Sequence, residues 1–269
     1  MLVFDALFAS GVAAPPPPSG EPATWTSGTS GFSTTTIEGI AYGDGVWVAV
    51  GFSGKLFTAT DPTGTWTSRT SGFGTDTILE VAYGNGYWVA VGGDGKLFTA
   101  TDPTSTWTSR TSGFGTDAIY NITYGNGYWV AAGAVGKLTT ATDPTGTWTS
   151  RTSGFGSISS IWGVAYGNGY WVIVGSSGKL FTATDPTSTW TSRTSGFGTT
   201  TIWGAAYSNG VWVAVGSAGK LFTATNPTST WTSRTSQFSA DAIRGVACGN
   251  DLWVAVGEVG KLSTAVPGI

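Results

Sequence analysis

The sequence predicts an all-β fold, a six-bladed β-propeller of four-stranded antiparallel blades. Three observations carry that prediction. Trp25, Trp66, Trp107, Trp148, Trp190 and Trp231 recur at separations of 41, 41, 41, 42 and 41 residues. A second series, Trp47, Trp88, Trp129, Trp171, Trp212 and Trp253, runs in the same register. Between these markers lie short β-branched and aromatic runs cut by Gly and Pro every few residues. A period near forty with strand-like content is the mark of propeller blades, and the interruptions leave no room for a helical apolar period.

Residues 78 to 111 show why each piece is a strand. Ile78 to Tyr83 is an apolar run closed by Gly84-Asn85-Gly86, a turn that accepts positive φ. Tyr87 to Val91 is a buried-type run ending at Gly92-Gly93-Asp94-Gly95. Lys96 to Thr101 alternates more evenly and stops at Asp102-Pro103-Thr104. Trp107 to Thr111 is the fourth strand, where Arg110 keeps the outer edge charged.

The ends predict circular closure. A fourth-strand copy at about 24–29 has no preceding three strands, and the last three strands, about 243–265, have no following fourth. Pairing the two completes six blades and removes the open edges. Residues 21–269 then form the propeller. Residues 1–20 form an apolar arm, with Leu2, Val3, Phe4, Leu7 and Phe8 as partner-anchoring residues, followed by the stiff spacer Pro15-Pro16-Pro17-Pro18. The arm lacks Lys or Arg before its apolar stretch and carries Asp5 within it, so it does not read as a signal peptide. No segment is long and apolar enough to span a bilayer as a helix.

Composition excludes several chemistries. The 269 residues contain no His, so neither a Ser-His-Asp triad nor a His metal cluster is available. Cys248 is the single cysteine, which rules out an internal disulfide and a thiolate zinc site. A net charge of −3 gives no general attraction to nucleic acid. No cofactor or metal is expected.

The turn Ala-Thr-Asp-Pro-Thr-Gly-Thr-Trp at Ala59–Trp66 recurs from Ala100, Ala141, Ala183 and Ala224, with Asn226 replacing Asp in the last copy. It resembles the Asp-box, or bacterial neuraminidase repeat, and shares its Asp, Thr and Trp spacing, with Ala where Ser is usual and Thr where Gly is usual. The phrase Ala-Tyr-Gly-Asn-Gly-Tyr-Trp-Val-Ala-Val-Gly is similar to propeller repeats of bacterial and phage surface proteins. The resemblance covers about residues 22 to 266. It implies a structural turn on the blade periphery, with Asp61, Asp102, Asp143, Asp185 and Asn226 as turn caps.

Divergence between copies locates a candidate site. The residue after the first-strand Ile reads Glu38, Leu79, Tyr120, Trp162, Trp203 and Arg244, and the next reads Gly39, Glu80, Asn121, Gly163, Gly204 and Gly245. The one length change, within 156–160, falls just before Trp162. Tyr120, Trp162 and Trp203 as flat apolar faces, with Glu38, Arg244, Glu80 and Asn121 as polar partners, make an axial rim suited to a sugar or similar ligand. The competing reading packs these aromatics between blades. The regular Lys series (Lys55 to Lys261) and Arg series (Arg69 to Arg234) read as solvated strand ends and edge protection.

A neuraminidase needs three Arg on one carboxylate and a Tyr-Glu pair near the axis, and only Arg244 is so placed. Glu38 and Glu80 on adjacent blades are the one acid–base pairing open to a glycoside hydrolase. The expectation is therefore a non-enzymatic binding or adhesion propeller for a glycan or surface receptor. Its arm would be held by a protein partner in a larger particle such as a phage virion or tail, placing it on a virion or extracellular surface. A purely structural component of a virion is the alternative.

Overall fold

A computed structural model describes residues 31–249, 252–258 and 261–265. It is a six-bladed β-propeller. Blade 1 runs from Ile37 to Arg69, blade 2 from Ile78 to Arg110, blade 3 from Ile119 to Thr152, blade 4 from Ile161 to Arg193 and blade 5 from Ile202 to Arg234. Each is a four-stranded antiparallel meander. Blade 6 shows three strands, Ile243–Gly249, Leu252–Gly257 and Leu262–Ala265. The closing strand assigned to 24–29 and the arm with Leu2, Val3, Phe4, Leu7 and Phe8 lie outside the described residues.

The first two strands of blades 1 to 5 are joined by Asx-Gly turns with both residues at positive φ, as at Asn85 (47°) and Gly86 (79°). This geometry matches the right-handed strand twist, which is why Asn-Gly recurs here. Strand three leads into the Asp-Pro-Thr turn, and the fourth strand is only three or four residues long. Short outer strands limit the exposed edge of each blade.

The blades cohere because apolar side chains of one interleave with those of the next. One cluster joins Val48, Val50 and Leu56 of blade 1 to Ile78, Val81, Trp88 and Ala90 of blade 2, with Phe73 between them. Equivalent clusters follow around the ring, each centred on a buried second-strand Trp. First strands of successive blades lie side by side. A Cβ added to Gly39 would sit 3.1 Å from Glu80 Cα, and one added to Gly163 3.2 Å from Gly204 Cα.

Lys55, Lys96, Lys137, Lys179, Lys220 and Lys261, expected as solvated strand ends, instead tether loops. Each ammonium donates to the carbonyl of a Phe in the loop entering its blade, for example Lys96 to Phe73 O at 3.0 Å and Lys137 to Phe114 O at 2.7 Å. Ser112 Oγ, in the loop entering blade 3, ties that loop to blade 2 by donating to Gly95 O at 2.6 Å. These bonds hold the loops between strands two and three against those entering strand one, so both sets share one face of the propeller.

Candidate binding face

In every blade the residue after the first-strand Ile falls at a β-bulge. In blade 2, Ile78 pairs with Gly92 and Glu80 with Val91, leaving Leu79 as the extra residue. The same irregularity puts Glu38, Tyr120, Trp162, Trp203 and Arg244 on bulges. A bulge releases its side chain from the in-out alternation of the strand and re-aims it. The glycine opposite is obligatory, since a Cβ on Gly92 would lie 2.1 Å from Thr77 O. The divergent positions are thus a ring of re-aimed side chains at the rim.

Four of them form a continuous stack. Tyr120 and Trp162 are stacked with centroids 4.2 Å apart. Trp162 meets Trp203 at 4.9 Å with planes tilted by 56°. The Arg244 guanidinium lies 4.0 Å from the Trp203 ring centre, a cation–π contact, and pairs with Glu258. The indole N–H groups of Trp162 and Trp203 donate to Ser176 and Ser217 at 3.2 and 3.0 Å. Ser176, Ser217 and Glu258 are themselves equivalent residues, so Trp162, Trp203 and Arg244 are each matched by a polar anchor on the neighbouring loop. Tyr120, Trp162 and Trp203 all stay half-buried.

Glu80 and Asn121, grouped with the rim by sequence, are fully buried below it. They follow the bulge, so strand pairing directs them inward. Glu80 accepts from Val81 N at 2.9 Å, and Asn121 Nδ2 donates to Glu80 at 3.4 Å. Asn121 Oδ1 accepts from Val164 N at 3.3 Å, so these bonds link the adjacent first strands of blades 2, 3 and 4. Gly39 makes room, since a Cβ there would stand 2.8 Å from Glu80 Oε1. Glu38 is also largely buried, and burial pushes its carboxyl up to about 7.

Two further residues escaped the sequence reading. Ile158, in the one-residue insertion, is 96% exposed, and Val135, on the loop between strands two and three of blade 3, is 41% exposed. Val135 has φ 49°, where blades 1, 2, 4 and 5 place Ser53, Asp94, Ser177 and Ala218. A β-branched residue in the left-handed region is strained by about 1–3 kcal/mol. The loops touch, because a Cβ on Gly136 would lie 2.6 Å from Gly156 O. The signals were present as the insertion itself and as a β-branched residue at a position that blades 1, 2, 4 and 5 fill with small or polar ones.

The peripheral turns are built as caps. Asp61 Oδ1 accepts from the amide and hydroxyl of Thr63 at 2.8 and 2.7 Å, and Asp102, Asp143, Asp185 and Asn226 repeat the pattern. The Thr63 hydroxyl and amide hold the Asp61 carboxyl below its ordinary range. Trp107, Trp148, Trp190 and Trp231 are buried behind these turns and offer no open face for stacking. Arg69, Arg110, Arg151, Arg193 and Arg234 each donate through Nε to a strand-three Thr at 2.9–3.0 Å, so they cannot converge on one anion. No group of three or more metal-binding side chains occurs among the described residues.

No protein-family model matches the chain, and no curated protein matches it. Among solved structures, YCF48 from Cyanidioschyzon merolae is similar with a TM-score of 0.69 at 14% identity, covering 87% of this chain and 83% of that one. YCF48 bound to D1 peptide gives 0.69 at 15% identity, covering 88% and 80%. The computationally designed Ika8 protein gives 0.67 at 14% identity, covering 86% and 70%. At these identities the likeness is one of fold.

Proposed function

We propose that this chain is a non-enzymatic binding propeller that docks a protein partner on the loop face, over blades 3 to 5. One observation carries the reading. The one-residue insertion with its exposed Ile158 and the loop that holds Val135 in a left-handed conformation touch each other, and the Val135 loop lies against the strand that carries Trp162, which stacks on Tyr120 and meets Trp203. Strain and exposed apolar surface both cost stability, and a partner that covers them turns that cost into affinity. The self-stacked rings are a firm apolar floor suited to side chains of a polypeptide. The similar structure described as YCF48 bound to D1 peptide supports a propeller of this shape holding a peptide. The buried state of Glu80 and the dispersal of the Arg side chains speak against glycoside hydrolysis.

The test is selection from a displayed random heptapeptide library on the intact chain. Enriched peptides are expected to lose at least tenfold affinity on Ile158→Ser. Peptides indifferent to that change would remove the binding face from this sector.

A glycan reading keeps one observation of its own. A polar groove between the outer strand of blade 3 and the turn of blade 4 is lined by Ser150, Arg151, Thr152, Thr187, Ser188 and Thr189. Its equivalents around the ring would act together as weak repeated sites, as an adhesin on a virion or cell surface requires. Glycan-array binding that survives Ile158→Ser and falls on Arg151→Met would favour it.

A further inference from the structure

We infer that the rim of blades 4 and 5 recognises an acidic polypeptide segment, whose carboxylates occupy positions that Asp residues fill elsewhere in the ring. This rests on the loop-face reading above and adds the chemistry of the partner. In blades 2, 3 and 6 the loop-tethering lysine is also ion-paired. Lys96 pairs with Asp76, Lys137 with Asp117 at 2.6 Å and Lys261 with Asp241 at 2.6 Å. In each case the Asp stands twenty residues before the Lys.

At the same offset, blades 4 and 5 carry Ser159 and Thr200. Lys179 there reaches Ser159 Oγ at 2.9 Å, and Thr200 turns its hydroxyl onto Phe197 O. No carboxylate among the described residues pairs with Lys179 or Lys220. The rim segments of these two blades, 154–165, 175–180, 195–206 and 216–222, contain no Asp or Glu at all. Blade 1 also lacks the Asp, with Thr35 in its place, but Glu38 stands on its rim.

Uncompensated ammonium groups thus coincide with the aromatic stack of Trp162 and Trp203 and with Ile158. Each ammonium is held by its carbonyl bond, so an incoming carboxylate meets a positioned donor, as Asp117 does on Lys137. Apolar contacts supply affinity at the centre, and complementary charge selects the partner and speeds encounter. An acidic segment with interspersed aromatic or aliphatic residues satisfies both.

The peptides enriched on the intact chain are expected to combine Asp or Glu with apolar residues. Their affinity should fall at least tenfold on S159D/T200D, which installs the acids of blades 2 and 3. That variant should fold, because the same Lys–Asp pair already exists in this repeat; unchanged near-ultraviolet circular dichroism checks it. Substitution K179Q/K220Q should weaken binding similarly, and K96Q/K137Q should not. Peptides lost on I158S but indifferent to S159D/T200D would overturn the acidic partner and leave the binding face standing. Peptides without acidic residues would overturn it too. Failure to enrich any peptide, or capture of acidic glycans instead, would overturn both readings.

Discussion

At the residue scale, the repeat supplies its own controls, because each blade shows what a position tolerates. In blades 1, 2, 4 and 5 a Phe on strand three packs over a loop glycine and against a loop Phe, as Phe98 does on Gly72 and Phe73, with ring centroids 4.7 Å apart. Blade 3 has Thr139 at this place, buried, with its Oγ1 unpartnered among the described residues. Gly113, the matching glycine, keeps its space open, with only Thr139 Cγ2 and Trp148 O within 4 Å of an added Cβ. Thr139→Phe should therefore raise stability by about 2 kcal/mol by burying a ring and removing an orphan hydroxyl. Urea unfolding of the two proteins checks it, and a lower midpoint for the Phe variant would show that blade 3 has closed over the gap. Blade 6 settles the same problem differently, with Gln237 in place of the glycine and Ser263 in place of the Phe.

At the scale of elements, successive blades are matched across their contacts. The last residue of the first strand is Gly43, Gly84, Gly125 and Gly167 in blades 1 to 4, and a Cβ there would lie 2.2 to 2.5 Å from the ring of Tyr83, Tyr124, Tyr166 or Tyr207 in the next blade. Blade 5 ends this strand with Ser208, and blade 6 answers with Cys248 instead of Tyr. The pair relaxes together: a smaller partner permits the Cβ. Cys248→Tyr alone should destabilise the protein by about 1–3 kcal/mol through overpacking. Adding Ser208→Gly should recover most of that loss, a coupling that a double-mutant cycle measures directly. Additive effects would show that the fifth and sixth blades do not meet as the others do.

For the whole molecule, the polar bridge Glu80–Asn121–Val164 and the buried Glu38 set charge inside a ring that is otherwise apolar. Burial raises the Glu38 pKa from 4.5 to about 7. The folded state then retains a proton that the unfolded chain has released, so the contribution favours folding at low pH. It should diminish as pH rises from about 4.5 to about 7 and be constant above that. Thermal midpoints measured across this window should show the decline in the parent and a flatter profile in Glu38→Gln. Equal slopes in both would assign the dependence to other groups.

Much of this architecture is legible in one chain because the repeat prints its period six times. Asn85-Gly86 and its equivalents mark the first turn, Asp102-Pro103 and its equivalents the third, and the paired Trp series fixes strand register. Glycine at Gly92 and its equivalents was visible as a turn residue, but its role opposite a bulge was not. The bulge depends on a backbone approach to Thr77 O that appears only when strands one and two are paired. For the same reason the sequence grouped Leu79 and Glu80 as neighbours on one rim, whereas pairing sends one outward and the other into the axis.

By itself the sequence determined the all-β class, the period of the blades, the turns and the ring of divergent positions, because these follow from local conformational preference and from comparing copies. Only the tertiary structure decided which divergent residues stack together, which are buried, and that every lysine of the regular series tethers a loop. Those outcomes depend on contacts between blades some forty residues apart, where packing and pairing partners, not local propensity, fix the place of each side chain.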